Sequence, residues 1–200
     1  MIPTELYSST LTRHPETRCH AELVIEVRVC WTEPRSLSLT YRLKGDNTGI
    51  RVPPPRTRRR ADHLWEHSCF EAFVGEVGKP EYYEFNFSPS REWAAYGLRN
   101  YRDGGPIDDD GLEPKITVRR KAETLEIDAI ICMDRLLKIS QEASLRLGLS
   151  AVIEDTDGGL SYWALKHPPG KPDFHHPDGF ILEIQPPVDG AEPIAYTSKP

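Results

Sequence analysis

His67, Cys69 and Glu71 stand at i, i+2 and i+4 of the run Trp65 to Val74. A strand would put them on one face, neighbours about 6.5–7 Å apart, close enough for two of them to meet one metal ion. His175-His176 with Asp178 could add ligands. The plainer reading has Cys69 packed in a core and His67 and Glu71 hydrogen-bonded across the sheet, since buried polar groups need partners anyway. That reading is preferred, so no metal ligand is assigned. A second chemistry needs paired carboxylates: Glu66, Glu71 and Glu84 could include two that flank a glycosidic bond about 5–9 Å apart. No G-x-S-x-G motif supports acyl transfer, and Ser88-Pro89-Ser90 reads as a turn, so no catalytic residue is assigned. A third is ligand binding. Trp65, Trp93, Trp163, Tyr82, Tyr96 and Tyr162 occur among Asn86, Arg91, His67, Glu71 and His167. Aromatic faces stack on the apolar side of a sugar ring while amide and charged groups bond its hydroxyls.

The elements that must position these residues are strands. Ala21 to Trp31, Leu37 to Leu43, Tyr82 to Phe87, Trp93 to Tyr101, Leu125 to Met133 and Leu145 to Ile153 read as strands from their alternation, and Trp65 to Val74 as an unusual one whose His67, Cys69 and Glu71 share a face with Trp65 and Phe73. Ile50 to Val52, Ile116 to Arg119, Leu160 to Leu165 and Phe180 to Ile184 read as shorter strands, and Asp155 to Gly159 as a bare hairpin turn. Residues 1–18 lack clear periodicity, although Leu6, Tyr7 and Leu11 could cover a sheet edge. Arg102 to Gly111 reads as a loop, as does the Pro-rich stretch His167 to Gly179. The one helix-like segment is Arg135 to Lys138, with Asp134 as its cap. About nine or ten short strands with at most one short helix predict an all-β, antiparallel β-sandwich or barrel. Its single domain would span residues 1–185, with a loose Pro-rich tail from 186 to 200.

The chain has 200 residues, 18 of them proline and 14 glycine, which suits many turns. A net charge of -6 argues against nucleic acid as a partner, and Arg56-Thr57-Arg58-Arg59-Arg60 reads as a solvated loop. No basic segment followed by an apolar one marks a secretory signal, and no apolar run is long enough to cross a membrane. The four cysteines lack CxxC spacing and read as reduced thiols. The expected location is therefore cytoplasmic.

The phrases LWEHSCFEAFV, YYEFNFSPSREWAAYGLRNYRDG and LSAVIEDTDGGLSYWALKHPPGKPDFHHPDGF resemble DOMON-like proteins related to family 9 carbohydrate-binding modules. The resemblance extends from Leu37 to Ile184. It implies a β-sandwich of roughly ten strands that binds a sugar or, elsewhere in the superfamily, haem. In family 9 modules two tryptophans sandwich a sugar, and Trp65 and Trp163 match those aromatic positions. Haem would call for axial Met and His, and Met133 is the only internal methionine.

Together these readings predict a non-catalytic module for a carbohydrate or sugar-like small molecule. Its pocket would be built from Trp65, His67, Glu71, Arg91, Trp93, Trp163 and His167. A sugar-derivative hydrolase using a metal or paired carboxylates, and an interaction domain without a small ligand, stay open as alternatives. No cofactor is predicted, with haem or a structural metal ion also left open.

Overall fold

The computed structural model describes residues 6–19, 22–33 and 35–186; apart from residue 186, the tail expected over 186–200 lies outside them. In chain order the strands are β1 (Tyr7–Arg13), β2 (Leu23–Glu33), β3 (Ser36–Gly45), β4 (Arg59–Arg60), β5 (Cys69–Glu76), β6 (Tyr82–Phe87) and β7 (Glu92–Asn100). There follow β8 (Asp103–Pro106), β9 (Lys115–Lys121), β10 (Thr124–Cys132), β11 (Leu145–Glu154), β12 (Leu160–Ala164) and β13 (Leu182–Ile184). They form a sandwich. Its first sheet runs β1-β2-β3-β10-β9 and its second β4-β7-β6-β5-β11-β12, with β8 beside β7 and β13 beside β11. Among the described residues only the two-residue β4 pairs parallel, against β7. Strand β1 joins the sheets, because Tyr7 to Leu11 pair with β2 while Thr12 and Arg13 pair with β12.

Alternation dictates what fills the sandwich. Ile25, Val27 and Val29 of β2, Leu37, Leu39, Tyr41 and Leu43 of β3, and Leu125, Ile127 and Ile131 of β10 all point inward. From the second sheet they meet Phe70, Ala72 and Val74 of β5, Phe85 and Phe87 of β6, and Leu147, Leu149 and Ala151 of β11. Phe70, Phe85, Phe87, Leu37 and Leu39 are fully buried. Burying each such side chain contributes about 1.5–3 kcal/mol.

Strands β5 and β6 depart from the usual inward-apolar, outward-wet pattern. Nearly all their residues are buried on both faces. An antiparallel sheet usually leaves one face to water. Here the irregular stretch between β12 and β13 lies over the outward face, where Phe174 and Phe180 pack against Phe73, Tyr82 and Leu98. That covered face holds the chemistry described below.

Several local expectations are corrected. The predicted strand from Trp65 starts only at Cys69, because Leu64–Glu66 forms a single 3-10 turn after His63, whose φ of 60° is left-handed. His67 therefore does not share a strand face with Cys69 and Glu71. Tyr7 to Arg13 is a strand despite its weak periodicity, since its partners lie on both sides. Asp103 to Pro106 is also a strand. Gly104 permits it: a Cβ there would stand 2.1 Å from the Gly97 carbonyl oxygen. Arg135 to Lys138 is not a helix; a 3-10 turn covers Met133–Arg135, capped by Cys132 rather than Asp134, and Leu137 is exposed. Asp134 instead pairs with Arg35. The arginine run is consumed in ion pairs: Arg56 and Arg59 with Glu92, Arg58 with Glu113, and Arg60 with Asp108. No helix among the described residues is long and apolar enough to cross a membrane.

Candidate functional site

A cavity of about 360 Å³ opens on the outward face of the second sheet. Small-ligand sites span about 300–1,000 Å³, so it suits a compact ligand. Glu71 of β5 and Glu84 of β6 line it, with Val152 of β11 beside them. In the register of these strands Glu71 faces Asn86 and Phe73 faces Glu84, so the two carboxyl groups are diagonal neighbours. Tyr96 and Leu98 of β7, Trp65 of the 3-10 turn, Tyr162 of β12, and Pro172 and Phe174 of the covering loop form the remaining apolar wall. Trp65 meets Tyr96 edge-on at 5.9 Å, and Tyr162 lies 5.9 Å from Phe174.

Arg102 and His175 complete the lining. Arg102 stands in the tight turn between β7 and β8, at a left-handed φ of 53°. Its guanidinium donates to Asp173 Oδ1 at 2.8 Å, and the Tyr101 hydroxyl donates to Asp173 Oδ2 at 2.8 Å. Asp173 also accepts the His175 amide at 3.1 Å. One carboxylate thus ties the covering loop to the β7–β8 turn and holds His175 over the sheet. Tyr82 Oη and His175 Nδ1 share a hydrogen bond of 2.9 Å, while His175 Nε2 stands 3.6 Å from Glu84 Oε2, too far for direct bonding.

The electrostatics follow from burial. Glu71 is 3% exposed and Glu84 7%. Burial first, then repulsion from Glu84, pushes the Glu71 carboxyl well above the usual carboxylate range, against smaller help from Ser150 and Arg102. Burial raises Glu84 too, opposed by the Asn86 hydrogen bond and by Arg102. Burial, and then the charge of Arg102, lower His175 to about 4, so its imidazole is neutral near pH 7. Burial and the nearby Asp62, which accepts the Tyr96 hydroxyl at 3.2 Å, raise the Tyr96 phenol. At neutral pH the site presents a neutral imidazole, an engaged guanidinium and two carboxyls that resist ionising together.

The seven residues singled out in the sequence do not gather in one place. Trp65 and Glu71 line the cavity. Trp93 and Trp163 lie inside the sandwich, 2% and 6% exposed. Trp163 donates to Ser161 Oγ at 3.0 Å, and its neighbour Tyr162 takes the outward position instead. His67 reaches Glu154, with Nδ1 2.8 Å from Oε2, beyond the cavity wall. Arg91, at a left-handed φ of 72°, sits exposed in the β6–β7 turn, where its amide donates to the Ser88 carbonyl at 2.9 Å. His167 Nε2 bonds the Thr12 carbonyl at 2.8 Å, and its ring packs edge-on against His14. Neither His67–Cys69–Glu71 nor His175–His176–Asp178 converges: among the described residues no three His, Cys, Asp or Glu side chains could hold one metal ion.

Arg102 and Phe174 carry no site signal in the sequence; His175 reads there only as a possible metal ligand, Glu84 only as one of a possible carboxylate pair, and Tyr96 and Tyr162 only as members of an aromatic ligand face outside the seven-residue pocket. Glu84, Asn86 and Tyr96 did carry a signal. Each is polar on a strand whose alternate positions are among the most aromatic of the chain, a placement that needs partners or a ligand.

No family model and no curated protein matches the sequence. Solved structures do resemble it. One is a protein from Bacteroides uniformis described as a candidate carbohydrate-binding protein, at TM-score 0.63 and 16% identity over 88% of this chain and 84% of that one. Another is a family 9 carbohydrate-binding module from Caldicellulosiruptor kristjanssonii in complex with cellotriose. It gives TM-score 0.53 and 11% identity over 90% of this chain and 85% of that one. The same module with glucose gives TM-score 0.51 and 11% identity over 92% and 87%. At these identities the likeness is one of fold: an all-β sandwich of the kind found in family 9 carbohydrate-binding modules.

Proposed function

We propose that this protein is a non-catalytic, DOMON-like binding module for a carbohydrate or sugar-like small molecule, held in the cavity on the outward face of the second sheet. The observation that carries the reading is the union of Trp65, Tyr96, Tyr162 and Phe174 with Glu71, Glu84, Arg102 and His175 around one compact opening. Sugar recognition requires both halves: aromatic faces for the C–H side of a ring, and placed donors and acceptors for its hydroxyls. The solved structures that share the fold, two of them holding cellotriose or glucose, support the same ligand class. The four free cysteines suit a reducing compartment, which supports a cytoplasmic setting.

One observation favours a second reading. Glu71 and Glu84 are close enough to couple electrostatically, as a hydrolase's acid and base would be. Against it, both project from neighbouring strands into one floor, whereas the two carboxyls of a glycosidase flank the bond they cleave. Titration calorimetry with mono- and disaccharides, at protein concentrations that detect millimolar affinity, tests the binding reading. Trp65→Ala should lower the affinity about tenfold, since stacking on an aromatic face contributes on the order of 1 kcal/mol or more. Absence of heat with every sugar would reject it, and steady release of reducing ends from an aryl glycoside would favour the hydrolase.

A further inference from the structure

The floor of the cavity is short of positive charge and of hydrogen-bond donors. Among the described residues neither Glu71 nor Glu84 is within ion-pairing distance of a lysine or arginine; His175 stands 3.6 Å from Glu84, and the charge of Arg102 reaches both carboxyls only from beyond that distance. Elsewhere carboxylates as shielded as these meet arginine directly, as Glu92 meets Arg59 at 2.6 Å and Glu154 meets Arg51 at 2.7 Å. Arg102 lines the same cavity, but its guanidinium donates to Asp173. Glu71 receives only the Ser150 hydroxyl, at 3.5 Å. Glu84 receives the Asn86 amide at 2.9 Å, and Asn86 Oδ1 is itself buried with no partner. Behind and around the pair stand Tyr41, which donates to the Glu71 carbonyl, the thiol of Cys69, Tyr82, and the Tyr96–Asp62 couple. None of these supplies a cation.

We propose that the preferred ligand carries a primary ammonium group on its sugar-like ring, an amino sugar, with the ammonium seated on Glu71 and Glu84 and the ring against the aromatic wall. This rests on the carbohydrate reading above. Three features of the ammonium fit. It brings three N–H donors to a floor made of acceptors. Its positive charge meets two carboxyls removed from bulk water, where charge-assisted bonds are strong. Its charge also interacts favourably with the aromatic faces of Trp65 and Tyr96. A quaternary ammonium would have the charge without the donors. A bare divalent ion would leave the aromatic wall unused.

Calorimetric titration of the whole chain with glucosamine, glucose, N-acetylglucosamine and ethanolamine separates the possibilities. The expected result is that glucosamine binds at least about tenfold tighter than glucose or N-acetylglucosamine, because acetylation removes the charge. Binding should also release protons, read from the dependence of the heat on buffer ionisation, as the ammonium drives the carboxyls toward their charged forms. In Glu84→Gln, checked for folding by circular dichroism, the glucosamine-to-glucose ratio should fall toward one. Glucose binding as tightly as glucosamine would overturn the amine preference and leave the carbohydrate reading standing. Ethanolamine matching glucosamine while glucose stays silent would keep the amine site and reject the sugar. Silence from all four would reject both.

Discussion

The two sheets turn opposite outer faces to their surroundings. On the first, carboxylates from neighbouring strands meet cations: Glu26 pairs with Lys44, Glu126 with Arg42 and Arg119, and Asp128 with Arg119 while also accepting the Thr40 hydroxyl. Partial burial works to raise Glu126, but hydrogen bonds from Arg119 and Arg42 prevail and hold it below the usual carboxylate range. On the second sheet Glu71 and Glu84 occupy comparable outward positions, are more deeply buried, and are raised. The same side-chain type therefore plays opposite parts. Paired and partly wet, it braces neighbouring strands; covered and without a cation in contact, it lowers the stability of the fold. Such local departures from self-satisfaction are where binding sites are found.

That contrast should survive a test of what the sheets share. Phe85→Ala, at a fully buried inward position of the second sheet, should cost about 3–5 kcal/mol in urea unfolding. Leu39→Ala, its counterpart in the first sheet, should cost about 2–5 kcal/mol. A much smaller loss at Phe85 would mean that the second sheet is poorly packed, and that its exceptional outer face reflects looseness rather than a site.

The next largest effect is the sign of the pH dependence. Glu71 and Glu84 are raised in the folded state, so the folded chain binds more protons than the unfolded chain above the ordinary glutamate value of about 4.3. Their contribution to stability is thus lost as pH rises through that range. The double variant Glu71→Gln, Glu84→Gln should be more stable than the parent at neutral pH, with the gap closing on acidification. Glu126 is lowered, so its contribution is present at neutral pH and lost as pH falls. Glu126→Gln should be less stable than the parent at neutral pH, its gap also closing in acid. Urea midpoints measured across the range check both, and gaps of the same sign would break the contrast.

A smaller effect should appear in the covering loop. His175, lowered to about 4 against an ordinary value of about 6.5, is protonated more readily in the unfolded chain between those values. Stability is full above about 6.5 and falls as pH drops toward 4. Protection factors of loop amides near Asp173 to His175, taken against the intrinsic exchange rate at each pH, should fall in that window. His175→Gln, which does not titrate, should remove the pH dependence; an unchanged profile would mean that His175 does not hold the loop.

Much of this architecture could be read from alternation. Leu37 to Leu43, Tyr82 to Phe87 and Leu145 to Ile153 announce themselves because one face of each is apolar. Strands β1 and β8 did not, since Tyr7 to Arg13 and Asp103 to Pro106 are held by neighbours and carry little apolar pattern of their own. The site was legible in part. Alternation separates Tyr162 from Trp163, but it does not say which side is the packed interior, and the tryptophan was the one singled out. Arg102, Phe174 and His175 lie in turns and loops, where position follows from contacts such as Asp173 with Arg102, distant in the chain. Periodicity does not encode those contacts.

On the proposed function, the covered face of the second sheet is the binding face. A two-dimensional amide NMR titration with glucosamine, followed by glucose, tests it most directly. Saturable shifts are expected at Trp65, Glu71, Glu84, Tyr162 and His175, with the ion-paired face around Arg42 and Glu126 unmoved. Shifts confined to the first sheet, or none at saturating sugar, would contradict it.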